Sequence, residues 1–464
     1  MVTTIENIIY PFIIKFNVHL TNYVLVFLLV GIGVWYTIKT RFVQVRCFKE
    51  GILNVLEKDG NSNKDKNSMS SFQTLATAIA SQVGSGNIVG ASAAILVGGP
   101  GAIFWMWLIA FFGMATIYAE ANLAVKTRQI EENGNIKGGP VYYIKVAFKG
   151  KLGDFFATFF SIAAILVFGC MGCMVLSNSI GNSMESAFNI NSLIVGFIQV
   201  FLCGVIFLGG VRRLASVTEK LTPIMAILFL CGAFIVLIAR HNYIIETFGL
   251  IFRYAFEPQA ILGGGFWYAI KTAISQGAKR GLFSNEAGMG STPHIHALTR
   301  TRTPHEQGTI AMIGVFFDTF VVLTLTSLVV ISTLYTSDGI LANGYRGTIT
   351  ETINQINLVQ VAFGTIMGSK LGALFVAICL CIFTFSTILC WNLYGQMNTS
   401  YLFRKSNSKK PIHIYLLISF CFIILGSVVS SNLVWELNDI FNSLLVIPNA
   451  LALLALTNKV IKKD

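Results

Sequence analysis

The amino-acid sequence predicts an all-α polytopic membrane protein of about eleven transmembrane helices, two of them discontinuous. Three observations predict it. Hydrophobic residues fill 54% of the 464 positions and charged residues only 12%, with a mean hydropathy of +0.70, far from the soluble balance. Apolar runs of roughly 20 residues, enough for a helix to cross the hydrocarbon layer, recur along the whole chain. Lysine and arginine cluster in alternate connecting segments, as expected when short basic loops stay on the cytoplasmic side.

The net charge of +12 does not point to nucleic acid, because the basic residues form short clusters between apolar runs with no aromatic interleaving. Most of the nine cysteines, such as Cys203, Cys231, Cys379, Cys381 and Cys421, lie inside apolar runs and form no disulfide framework. Cys170 and Cys173 make a CxxC within a span, where a small buried residue is the simpler role.

In chain order the expected spans are Asn22–Ile38, Phe72–Val97, Ala102–Val125, Asp154–Ser179, Ser192–Gly209, Leu221–Ile238, Gly264–Ala297, Thr309–Leu334, Leu371–Tyr401, Ile412–Ser430 and Leu433–Leu456. The first is followed by Lys39 and Arg41 without a small-residue cleavage site, so it is expected to be retained. The loop after it holds Arg41, Arg46, Lys49, Lys58, Lys64 and Lys66, which places that loop inside and the N-terminus outside. Every second loop agrees, through Lys126, Arg128, Lys137, Lys145, Lys149 and Lys151, then Arg212, Arg213 and Lys220, then Arg300 and Arg302, then Arg404, Lys405, Lys409 and Lys410. The C-terminal Lys459, Lys462 and Lys463 fall inside as well, whereas the opposite loops hold only Arg240, Arg253, Arg346 and Lys370. An inner-membrane, multi-pass protein is expected.

The second span carries SQVGSGN, Ser81 to Asn87, about ten residues from its inner end and so near mid-membrane at ~1.5 Å per residue. The seventh carries GLFSNEAGMGS, Gly281 to Ser291, followed by Pro293, which suits the start of a new half-helix. Glycine weakens the helix, and bare backbone at that depth survives only beside protein or a watery cavity. The breaks recur at an interval of about five spans, so the second unit runs the opposite way. This divides the chain into an extra helix with its basic loop (1–70), a first five-helix repeat (71–240) and an inverted second repeat (241–464). Paired breaks of this kind mark a transporter's central site, because half-helix N-termini hold anionic groups and freed carbonyls hold cations.

At these residues the chain resembles the alanine or glycine:cation symporter family, the sodium:alanine symporters. The segments that carry the match are VGSGNIVG, GGPGAIFWMW, FGMATIYAE, GGPVYYI, GGVRRLA, RGLFSNEAGMGSTPH and FTFSTILCWNLYGQ, spread from Val83 to Gln396. The resemblance implies the LeuT-like 5+5 inverted-repeat fold of the amino-acid/polyamine/organocation superfamily. It also implies sodium-coupled import of a small neutral amino acid, alanine or glycine and in some members glutamine, by alternating access. No enzyme activity and no cofactor is expected; sodium is cargo, lipid the surroundings, and a monomer the working unit.

On that resemblance, the substrate carboxylate would meet the amides of Ser85, Gly86 and Asn87, where the second half of span two begins. Sodium would take oxygen from Ala80, Val83, Ser386 and Thr387. Trp391, four residues past Thr387 on the same helical face, would limit side-chain size. Ser284, Asn285 and Gly288 are candidates for the ammonium end or the side-chain pocket.

Charges within spans are costly, and Arg280 with Glu286 is expected as a structural pair at the second break. Glu120 and Asp318 are similar cases without an assigned role, Glu120 being expected near the inner end of its helix. His294 and His296, two apart on a helix, point in different directions and make a poor zinc pair. The sequence departs from the family at Leu176, where many relatives carry a substrate-contacting glutamine, at Gln396 in place of glutamate, and at Ser85 in place of threonine. Those departures bear on which amino acid is carried, with glutamine or serine as alternatives.

Overall fold

Ser70 and Gln73 start the first interrupted helix by a reciprocal cap: the Ser70 hydroxyl accepts from the Gln73 amide (3.1 Å) and the Gln73 side-chain oxygen from the Ser70 amide (3.1 Å). The computed structural model describes residues 13–15, 17, 20–56, 69–132, 136–256, 266–300, 303–342, 353–406, 408 and 410–461. The expected start of span seven at Gly264 lies outside them. So do Lys58, Lys64, Lys66, Arg302, Arg346, Lys409, Lys462 and Lys463.

The described chain runs through α1 (Val26–Lys39), α2 (Phe48–Leu56), α3 (Ser71–Gln82), α4 (Ala91–Gly98) and α5 (Ala102–Thr127). A small hairpin, β1 (Gln129–Ile130) and β2 (Ile136–Lys137), pairs Gln129 with Lys137 and Ile130 with Ile136. Then come α6 (Gly150–Phe188), α7 (Ser192–Phe207), α8 (Gly210–Ala239) and α9 (Ile244–Phe256). The second half holds α10 (Phe266–Asn285), α11 (Pro304–Leu334), α12 (Leu358–Met367), α13 (Ser369–Leu402), α14 (Lys410–Gly426) and α15 (Ser431–Ala455). Among the described residues, six helices are long and apolar enough to cross a membrane, and the bent pair α3/α4, 46° across its break, makes a seventh. Helices α1, α7, α12 and α14 are apolar but shorter.

Lipid rather than water explains the outer surface. On α8, Ile224, Ile227, Phe234, Ile235 and Ile238 repeat at helical spacing and are all exposed, while Met225, Phe229, Ala233 and Val236 on the opposite face are buried. The extra helix α1 is tied to α15 by the Tyr36 hydroxyl, which donates to the Leu453 carbonyl (2.6 Å). Helix α11 packs along α5, α6 along α13, and α3 against both α8 and α13.

Three details differ from the expected map. Helix α8 starts at Gly210, well before Leu221, because Arg212, Arg213 and Lys220 remain helical beyond the apolar run that marks the span. The helices α2, α9 and α12 and the β1–β2 hairpin fall between expected spans, too short for a span-length hydropathy signal. After the second break the chain makes only a four-residue helix, Pro293–His296, in place of a half-span.

On the face opposite the basic loops, Arg240 spends its whole fork on one junction. It donates to both Asp338 oxygens (2.7 and 2.6 Å), to the Ser332 carbonyl (2.8 Å) and to the Thr336 hydroxyl (3.0 Å). That guanidinium holds the Asp338 carboxyl well below the usual carboxylate range.

Candidate substrate and cation site

Helix α3 stops at Gln82, and Val83 turns to extended geometry (φ −75°, ψ 93°). The chain resumes as a wide π-helical stretch, Gly86–Gly90, before α4. Asn87 stitches the gap, its side-chain oxygen accepting from the Gly84 amide (3.1 Å). Ser85 is fully buried, and its hydroxyl finds no hydrogen-bond partner among the described residues.

The second break begins where α10 ends. Glu286, Gly288 and Gly290 all have positive φ (58°, 87° and 78°). For glycine that conformation is free; for Glu286 it is strained and has to be held by its surroundings. Its carboxylate accepts from the Ser81 hydroxyl (2.8 and 3.0 Å), the Ser291 hydroxyl (2.5 Å) and the Trp391 indole (2.6 Å). Three elements, α3, the break itself and α13, thus converge on one side chain.

The two breaks touch. A Cβ placed on Gly86 would lie 2.8 Å from the Cα of Ser284, so backbone meets backbone with no room between. Gln82 adds a cross-link, donating to the Asn285 carbonyl (2.8 Å).

Two oxygen-rich clusters flank the contact. In one, Ser386 and Thr387 of α13 both reach the Ala80 carbonyl (3.0 and 3.2 Å), and each also contacts the Phe383 carbonyl (2.7 and 3.2 Å). This brings Ala80, Ser386 and Thr387 together, and a Cβ on Gly84 would fall 2.4 Å from the Thr387 hydroxyl, while Val83 is buried at the break. In the other, the Asp318 carboxylate of α11 accepts from Asn87 (2.8 Å), Ser284 (2.9 Å) and Thr319 (2.9 Å). It joins both breaks through a third element, within the π-helical stretch Phe316–Leu323. Asn285 donates to Thr319 at 3.4 Å.

Several expected roles are corrected. Glu286 does not pair with Arg280. Arg280 and Lys279 instead share Asp439 of α15 (3.4 and 3.7 Å), and the Arg280 guanidinium lies 4.4 Å from the centre of the Trp435 ring. Neutral donors already fill the Glu286 oxygens, which leaves the cations to a carboxylate on another helix. Gly288 is not free for substrate, since its amide donates to Glu120 (3.0 Å) and its carbonyl accepts from Asn449 (2.9 Å). Glu120 is fully buried and caps the second break, accepting also from Gly290 (3.0 Å) and Asn449 (2.6 Å).

Trp391 is fully buried, wedged against Gly172, where a Cβ would fall 2.1 Å from the ring, and between Phe168 and Phe283 at 5.5 and 5.6 Å. Leu176 is buried in the same core, while Asn178 turns away to the Gly426 and Val429 carbonyls. The histidines part company: His294 lies between the Ser291 carbonyl and Asn398, and His296 contacts Gln307.

On the side of the basic loops a cavity of about 690 Å³ opens below the breaks. Gln73 of α3, Leu298 and Arg300 after the second break, Arg212 of α8, Arg404 beyond α13 and Lys137 of β2 line it. On the other side of the breaks, the α10 segment bearing Lys279 and Arg280 is closed against α15. Replacing Asp439 by Asn is expected to leave two buried cations without a counter-charge, at roughly 3–5 kcal/mol for a broken buried pair. Thermal unfolding in detergent checks this; a midpoint unchanged from the parent protein would contradict it.

A lipid-facing helical bundle whose two broken helices meet among buried oxygens defines a membrane transporter, not an enzyme. Residues 6–463 match the profile of the sodium:alanine symporter family, and the chain belongs to that family. It is 37% identical over 441 residues to the sodium/alanine symporter AgcS of Methanococcus maripaludis, covering 94% of this chain and 92% of that one. The probable sodium/glutamine symporter GlnT of Bacillus subtilis is 36% identical over 436 residues, with 94% and 86% covered. In three dimensions the chain resembles MhsT in complex with L-phenylalanine (TM-score 0.58, 14% identity, 84% of this chain and 89% of that one). A Na+-coupled sialic acid symporter is also similar (TM-score 0.51, 13% identity, 92% and 82% covered). At such identities the likeness concerns the fold.

Proposed function

We propose that this protein is a sodium-coupled symporter that imports a small neutral amino acid, alanine or glycine, by alternating access. The observation that carries the proposal is the contact of Gly86 with Ser284, which sets two broken helices back to back with an oxygen cluster on either side. The buried, unpartnered Ser85 hydroxyl and the adjoining amides of Gly86 and Asn87 suit a carboxylate. Asp318, Asn87 and Ser284 form one hard-cation site, and Ala80, Val83, Ser386 and Thr387 a second. Ser284 and Asn285 stand nearest for the ammonium end, and Trp391 restricts side-chain volume.

Helices 71–240 and 241–464 act as inverted repeats, rocking so that the site faces each side in turn. The basic face lies in the cytoplasm, the N-terminus outside, and the protein works as a monomer in the inner membrane. Leu176 in place of the family glutamine favours a second reading, a symporter for glutamine or serine, to which the likeness to GlnT adds weight.

Uptake of labelled alanine, glycine, serine and glutamine into proteoliposomes distinguishes these readings. Accumulation above equilibrium that requires an inward sodium gradient is expected for alanine or glycine. Accumulation driven equally well without sodium would reject the coupling, and a clear preference for glutamine or serine would select the second reading.

A further inference from the structure

Far from the two breaks, on the face of the basic loops, three side chains with metal-binding chemistry converge. Cys47 closes the short helix Val43–Arg46, Glu50 lies in the first turn of α2, and His305 is the second residue of α11. Their ligand atoms, a thiol sulfur, a carboxylate oxygen and an imidazole nitrogen, all lie within 4.8 Å of one another. The His305 Nε2 is 3.1 Å from Glu50 Oε1.

We propose that Cys47, Glu50 and His305 bind a divalent cation of the zinc class, with a water or other small ligand in the fourth position. Thiolate and imidazole together select zinc or cobalt over sodium, magnesium or calcium, so this site is chemically distinct from the oxygen clusters at the breaks. Donors around one tetrahedral zinc sit roughly 3.3–3.8 Å apart, given bonds of about 2.0–2.3 Å, and small side-chain rotations close the cluster to that size.

The surroundings are already those of a metal-ligating histidine. The Tyr118 hydroxyl of α5 lies 2.6 Å from His305 Nδ1, which fixes the ring and aims the other nitrogen at Glu50. Cys47 is buried while Glu50 and His305 reach solvent, so an ion has an entry path and a dry floor. The neighbouring Arg46 donates to the Thr40 carbonyl (3.2 Å) and also interacts electrostatically with Tyr118.

The ion would act as a staple. Asn54, four residues past Glu50 on α2, donates to the Thr309 hydroxyl (2.9 Å), and Gly51, three residues before Asn54, is buried against α11, where a Cβ would fall 2.8 Å from the Thr309 carbonyl. Residues three and four apart share a helix face, so the site lies at one end of a seam already closed between α2 and α11. Bound metal would hold the start of α11, the helix that farther along presents Asp318 to both breaks.

The test uses the full chain, purified in detergent and stripped with a chelator, titrated with Co2+ and then Zn2+. One equivalent of cobalt with a thiolate-to-cobalt charge-transfer band is expected, displaced by zinc, together with a higher unfolding midpoint in zinc. Cys47→Ser should abolish the band, Glu50→Gln should weaken cobalt binding about tenfold, and Tyr118→Phe should weaken it by roughly the same factor through loss of ring orientation. Absence of a thiolate band in the parent protein overturns the proposal, and so does a band that survives Cys47→Ser. If Cys47→Ser aggregates, Glu50→Gln decides, since its side chain is exposed and its loss leaves the core intact: unchanged cobalt affinity there also rejects the site.

Discussion

Asp318→Asn is expected to raise the sodium concentration for half-maximal uptake by roughly 30- to 100-fold. The carboxylate is fully buried and accepts from Asn87, Ser284 and Thr319, so it is the one charged ligand in a cluster that otherwise offers neutral oxygens. Hydrogen bonds to a charged group contribute about 1.5–3 kcal/mol, and a carboxylate exchanged for an amide forfeits an interaction of that order with the cation as well. At about 1.4 kcal/mol per tenfold, a loss of about 2–2.8 kcal/mol gives the stated range. Uptake measured against sodium concentration in proteoliposomes, with size-exclusion profiles matched to the parent, reads it directly. A correctly folded variant with the parental sodium dependence would remove Asp318 from the cation site.

Gly86→Ala should abolish transport more completely than any side-chain truncation at the site. The added methyl would meet Ser284 Cα at 2.8 Å and its amide nitrogen at 3.1 Å, with Phe283 at 3.2 Å, and backbone atoms cannot step aside as a flexible side chain can. Overpacking of this kind costs about 1–3 kcal/mol. Here the cost falls on the contact that aligns the two breaks, so both oxygen clusters lose register together. The control is Gly31→Ala in α1, where a Cβ meets nothing within 4 Å and helix propensity improves. If Gly86→Ala carries substrate at the rate of Gly31→Ala, the breaks do not work as one unit.

Features that depend on composition along the chain were legible in the sequence. The apolar runs and the alternation of Lys and Arg follow from lipid as solvent, and the breaks follow from glycine and polar residues at mid-span. Ala80 with Ser386 and Thr387 emerged only through the family resemblance, because nothing local links residues 306 and 307 positions apart. The same distance hid the roles of the buried charges. Asn87 and Asp318 are 231 residues apart, Arg280 and Asp439 159 apart, and which carboxylate faces which cation is decided by helix packing. Glu286 invited a pairing with Arg280 six positions away, yet the left-handed turn at Glu286 carries its carboxylate to Ser81 and Trp391 instead. Glu120 gave no sign that it would serve as the cap for two amides of a distant break.

None of the carboxylates Glu120, Glu286 and Asp318 is bridged by a lysine or arginine among the described residues, so an ionised Asp318 leaves its balancing charge to the cargo. Under the proposed coupling that position is electrically neutral with sodium aboard, and after unloading the ionised Asp318 would be left uncompensated. Membrane voltage acts on such a charge with about 2.3 kcal/mol per 100 mV for a full crossing, so an inside-negative potential would speed the empty carrier's outward reset. Asparagine at position 318 carries no charge, and turnover in that variant should respond to voltage less steeply than in the parent.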